Sequence, residues 1–208
     1  MKFDFATDNL DVIDATLLAY GLLDSAPTNM AVSRSPDSAI WVVRTDGVMP
    51  TFTYEPKEEV QGWGRQIFGN SSAVETPTGE VQSVGVIHGS AEDEIWVNVK
   101  RTIDSTDVYY TELFAPRSWG DDIEDAKFVD SLVTYDGAAS SAMTGGLHLK
   151  GETVSVFADG EVFDDAVVSG TGTFTLKKAT VTTTASVVQF GLPYTMKVKS
   201  MRIAVPQA

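Results

Sequence analysis

Two stretches of this 208-residue chain pass through the same order of events, and that repeat limits what the chain can fold into. Asn29 to Arg34 reads as a strand, Ser35-Pro36-Asp37-Ser38 as a turn, and Ala39-Ile40-Trp41-Val42-Val43-Arg44 as a second strand. Ser83 to His88, then Ser90-Ala91-Glu92-Asp93, then Glu94-Ile95-Trp96-Val97-Asn98-Val99 follow the same course. Short runs of branched and aromatic residues bounded by turn residues specify strands. Trp41 and Trp96 lie 55 residues apart, a length that fits a four-stranded unit of the kind found in propeller blades. Such a unit buries a face only by stacking on a neighbour. Two units alone leave open faces for the rest of the chain, or another subunit, to cover. Trp41 and Trp96 sit mid-strand in apolar runs, and both are expected in the core.

The rest of the chain is also strand-like, with one exception. Asp8 can cap a helix whose Leu10, Ile13, Leu17 and Leu18 share one face, and Gly21 stands where it would stop. Thr51 to Tyr54 and Val60 to Gln66 read as strands, and Gly69 to Gly79 as a polar loop. An acidic connector, Asp121-Asp122-Ile123-Glu124-Asp125, is expected to form one helical turn. Beyond it, Phe128 to Tyr135 reads as a strand ended by Asp136-Gly137, with a small-residue loop from Ala138 to Gly146. Further short strands follow at Thr153–Phe157, Glu161–Phe163, Thr173–Leu176 and Val187–Phe190. Short strands with glycine turns predict a sandwich or barrel. The expected fold is therefore all-β: an N-terminal helix and two blade-like antiparallel units over residues 1–115, then a small β-sandwich or barrel over 116–208.

Charge excludes several function classes. Fifteen Lys and Arg against 29 Asp and Glu give a net charge of −14, concentrated as −11 before residue 116 and −3 after it. Phosphate affinity comes mainly from Lys and Arg, so a general nucleic-acid binder is excluded, as is docking on an anionic membrane. Ala166 to Ala208 has five basic residues and no acid, an asymmetry able to steer head-to-tail contacts; a solvated strand face is the favoured reading. With no cysteine there are no disulfides, thiolate metal sites or thiol nucleophiles. No apolar run approaches a membrane span, and the N-terminus lacks the apolar core of a secretory signal.

Few residues carry a chemical signal. His88 and His148 are the two histidines, neither at metal or triad spacing. His148, between Leu147 and Leu149, reads as a half-exposed strand histidine. Asp121 to Asp125 offers carboxylates to a hard cation but lacks the glycine and alternating ligands of a calcium loop, so a plain connector is favoured. Glu92-Asp93-Glu94 reads as a solvated turn. No phosphate-binding loop, dinucleotide fingerprint or nucleophile elbow occurs, and no catalytic residue, cofactor or metal is expected. Trp63, flanked by Gly62 and Gly64 and followed by Arg65, is the candidate interaction site, for a sugar or a protein partner. Close packing on a neighbouring strand is its structural alternative.

An ordered series of motifs resembles the tail nozzle proteins of short-tailed phages, the tail tubular protein B type. It runs through Ile40-Trp41-Val42-Val43-Arg44-Thr45-Asp46-Gly47, Thr53-Tyr54-Glu55 and Val60-Gln61-Gly62-Trp63. It continues through Asp93-Glu94-Ile95-Trp96-Val97, Val99-Lys100-Arg101-Thr102-Ile103, Phe128-Val129-Asp130-Ser131 and Thr134-Tyr135-Asp136-Gly137. It ends with Gly151-Glu152-Thr153-Val154-Ser155-Val156, Ala158-Asp159-Gly160 and Gly191-Leu192-Pro193-Tyr194. The resemblance implies the C-terminal region of a non-enzymatic virion protein, made in the host cytoplasm and built into the tail. Its implied partners are copies of itself, as a ring, and other tail or connector proteins. DNA would pass without specific binding, since acidic walls repel phosphate. A carbohydrate- or receptor-binding module of a virion is the alternative expectation.

Overall fold

The computed structural model describes residues 2–4, 9–11, 14–17, 19, 21–55, 57–69 and 79–196. The chain is all-β, as expected, with antiparallel sheets and, among the described residues, no closed barrel. Four strands form the first sheet in sequential order: β1 (Pro27–Ser33), β2 (Ala39–Arg44), β3 (Met49–Glu55) and β4 (Val60–Gln66). The second sheet is a three-stranded meander of β5 (Gly79–Ile87), β6 (Glu94–Ile103) and β7 (Thr106–Leu113), one strand short of the first unit. The third is built on β8 (Asp130–Ser140), β9 (Thr153–Ala158) and β10 (Ala185–Leu192), with β10 between the other two. Short pieces such as Ala142–Met143 paired with Phe174–Thr175 lie around it.

Alternation explains how the first two sheets pack. Val97, Val99, Arg101 and Ile103 point to the buried face of β6, while Asn98 and Thr102 point outward. Val97 and Val99 meet Val43, Met49 and Trp41 of the first sheet, together with Val81, Val84 and Phe68, in one apolar cluster. Gly47 makes the β2–β3 turn possible. Its φ is +78°, and an added Cβ would lie 2.6 Å from Glu80 Cβ. Its carbonyl accepts from Val81 N, joining the turn to β5. Ile103 leaves this cluster and joins a second one with Val154, Val156, Val188 and Phe190, against which Val108 and Tyr110 of β7 also pack. The β6–β7 hairpin therefore serves both cores.

Several expectations are corrected. The N-terminal helix is absent where the chain is described: Asn9–Asp11 is a strand paired with Lys2–Asp4, and Ala15–Leu17 is a turn. The Asp14 carboxylate accepts from Thr16 N at 2.8 Å and Thr16 Oγ1 at 2.6 Å, a local bond that competes with helix formation. Asp8, Ile13 and Leu18 lie outside the described residues, as do residues 70–78 of the polar loop. Trp96 is not a core residue: it shares the outward face of β6 with Glu94, whose Oε2 accepts from its Nε1 at 3.0 Å. Trp41 does face the core, edge-on to Phe114 with centroids 5.3 Å apart. Asp136-Gly137 does not end its strand; β8 continues through a bulge to Ser140. The acidic connector does hold a single helical turn, a 3-10 turn at Ile123–Asp125.

Candidate functional site

A cleft of about 880 Å³ opens where the end of β4, the end of β7 and the start of β8 converge with residues 194–196. Arg65, Lys127 and His148 line it beside two carboxyls, Glu112 and Asp130. Glu112 is on the inward face of β7 because Val108 and Tyr110 share its parity. Arg101 of the neighbouring strand is 2% exposed and grips it with two parallel bonds, Nε to Oε1 at 2.9 Å and Nη2 to Oε2 at 2.7 Å. Ser131 Oγ donates to Oε1 as well, at 3.1 Å. With both oxygens engaged, Glu112 acts as a clasp between the second sheet and β8. Arg101 Nη1 is buried without a partner among the described residues.

Asp130 differs in its electrostatics. Burial pushes its carboxyl up to about 6 from the ordinary 3.8, and the Glu112 charge pushes in the same direction. A bond from Gly69 N to Oδ2 and the Arg101 charge oppose that rise and are outweighed. A carboxyl in this state exchanges its proton in mildly acidic solution while holding the chain at Gly69. His148 is half-buried, as expected, but it sits in a 3-10 turn, Leu147–Leu149, instead of a strand. Its Nε2 lies 3.1 Å from Ser131 O, and its carbonyl accepts from Tyr110 OH at 2.8 Å.

Trp63 and Arg65 stand two residues apart on one face of β4. Arg65 is exposed at the cleft. Trp63 lies on the outward face of the first sheet, half-buried against Phe52 at 4.9 Å between ring centroids. Its Nε1 donates to Ala15 O at 2.9 Å. Gly62 and Gly64 face the other side of the sheet, where an added Cβ would meet nothing within 4 Å. A second groove of about 580 Å³ opens there, lined by Trp41, Thr51 and Gln66.

The turn at Glu92–Glu94 is more than solvated charge. Asp93 is buried and accepts from Arg34 N at 2.6 Å and Ser35 N at 3.3 Å, joining the two repeat units at equivalent turns. His88 Nδ1 lies 2.9 Å from its other oxygen. Bonds to the ionised form, that from Arg34 N first, hold its pKa below the ordinary carboxylate range. Among the described residues, no three His, Asp or Glu side chains converge as a metal cage.

Sequence reasoning missed Arg101, Glu112 and Asp130 as a cluster. The signal for Arg101 was present, since it occupies a buried-face position in the alternation of Val97, Val99 and Ile103. Glu112 and Asp130 meet only through the fold. In comparison with known proteins, no protein-family model matches this chain and no curated protein matches it.

Proposed function

We propose that this chain is a structural component of a short-tailed phage tail, a nozzle- or tube-like part that works by assembly around the DNA exit path and catalyses no reaction. The observation that carries the reading is the apolar surface left on the outward faces of the two packed sheets. On the second sheet Ile87 and Leu113, beside the half-buried Trp96, are 58% and 45% exposed, and Tyr109, further along the same face, is 67% exposed. Met30 and Val32 are similarly open on the first. Apolar residues grouped on one face mark an interaction surface. The ordered motif series supports the same reading. The acidic charge fits a part that lets DNA slide past. In the large cleft the Glu112 carboxylate is committed to Arg101 and Ser131, which fits a structural clasp.

Static light scattering across concentration and salt, with binding measurements against purified tail and connector proteins of a short-tailed phage, tests the proposal. Self-association or a specific tail partner is expected. A monomer at high concentration with no affinity for those proteins would refute it. A saccharide platform on Trp63 has less support, because its indole N–H is held by Ala15 and its ring lies on Phe52. Glycan-array binding that disappears in Trp63→Ala would reinstate it.

A further inference from the structure

We infer that β4 is the docking edge for a second copy of this chain, the two β4 strands pairing antiparallel about a two-fold axis at Trp63. The inference rests on the self-association in the assembly reading and adds one surface to it; a two-fold contact closes at two copies, so a ring would need a further, head-to-tail surface. β4 ends the strand order of the first sheet, and its outer edge has no backbone partner among the described residues. A row of unpaired N–H and C=O groups is a template for another strand. Natural edges are usually blunted by proline, lysine, a bulge or a short length. β4 has seven residues, Val60-Gln61-Gly62-Trp63-Gly64-Arg65-Gln66, in unbroken register with β3, with no proline or bulge and a single charge, Arg65.

Side chains of the other outer strands of the first two sheets are bonded to neighbouring elements, which β4's, among the described residues, are not through its outer edge. On β1, Asn29 Oδ1 accepts from Val84 N of β5. On β7, Tyr110 and Glu112 are bonded to His148 and Ser131. The chemistry of β4 also fits a copy of itself. The chain has 29 acids, and residues 60–69 contain none, so two copies meet there with the least repulsion. Trp63 is the middle residue, so a two-fold axis at that position pairs all seven residues. Gln61 then faces Arg65 of the second copy, and Gly62 faces its Gly64. No like charges oppose one another. The outward row of Phe52 and Trp63 continues across the axis into the same row of the second copy.

The double variant Gly62→Lys/Gly64→Lys tests the inference. Both positions have open space for a side chain, so the monomer keeps its fold, to be verified by circular dichroism. In the proposed pair the lysine introduced at position 62 would face the lysine introduced at position 64 of the second copy, placing like charges directly opposite. Light scattering from low micromolar to near-millimolar concentration should show a reversible monomer–dimer equilibrium for the parent chain, weakened at least tenfold in the variant. Amide exchange at residues 61–65 should slow with concentration in the parent alone. An oligomer unaffected by the variant would overturn this edge and leave assembly standing at another surface. A monomer that binds tail proteins would likewise overturn the edge alone, whereas a monomer without such binding would overturn both readings.

Discussion

Replacing Asp130 with Asn should stabilise the protein at neutral pH and leave it unchanged near pH 4. Asp130 is held in the cleft with a pKa of about 6 against an ordinary 3.8. The folded state therefore keeps its proton more tightly than the unfolded state does. Between about pH 4 and 6 the unfolded chain has released the proton and the folded chain has not, so stability falls as pH rises through that window. Above it both states are ionised and the loss is complete. Two pKa units at 1.36 kcal/mol each amount to about 3 kcal/mol. The Asn side-chain oxygen can still accept from Gly69 N, and its amide hydrogens can reach the open cleft. Urea denaturation followed by tryptophan fluorescence at half-unit steps from pH 4 to 8 measures the effect. The two proteins should coincide at the acid end and diverge by up to about 3 kcal/mol at pH 7. Parallel curves, or a variant less stable at pH 7, would refute the argument that burial dominates at this carboxyl.

Asp93 should behave in the opposite sense. Its pKa is lowered by bonds to its ionised form, so its contribution is full above the ordinary carboxylate range and is lost as pH falls through the lowered value. Melting temperatures from pH 2 to 7 should show a shallower acid decline in Asp93→Asn than in the parent, with the variant the less stable at pH 7. Arg101→Met leaves the Glu112 carboxylate without its guanidinium partner and should cost about 3–5 kcal/mol in chemical denaturation. Gly47→Ala combines a left-handed backbone with a clash at Glu80 and should lower stability by at least about 1 kcal/mol, measured in the same way.

The two repeat units show where letters and physics part. Both spell Ile-Trp-Val, and both form a strand after an acidic turn. Yet Trp41 and Val43 point into the shared core in one, while Ile95, Val97 and Val99 do so in the other. A strand shifted by one residue reverses every side chain, and nothing local in Ile-Trp-Val records which face a neighbouring sheet will cover. Strand positions were legible because branched residues and turn residues alternate along the chain. The β6–β7 hairpin was less so. Its turn at Asp104-Ser105 holds two non-glycine residues at φ +49° and +61°, without the glycine that usually marks such a turn. Asp104 is tethered instead by Lys150 at 3.1 Å and by Glu152, which accepts from its N–H at 3.0 Å, contacts from far along the chain. The helix expected near residue 10 failed for a similar reason. Periodicity in four residues carries less weight than strand pairing with Lys2–Asp4 and a side-chain turn at Asp14.

The hairpin shared by two cores also sets how the chain can be divided. A cut at residue 116, in the exposed connector, severs no core in sequence terms but leaves Ile103, Val108 and Tyr110 bare on one fragment and an unfilled hollow on the other. Neither piece would inherit a complete interior. Any graft or exchange of the C-terminal half that keeps its fold must carry β6 and β7 with it, so the unit of inheritance begins before Glu94 and not at the connector.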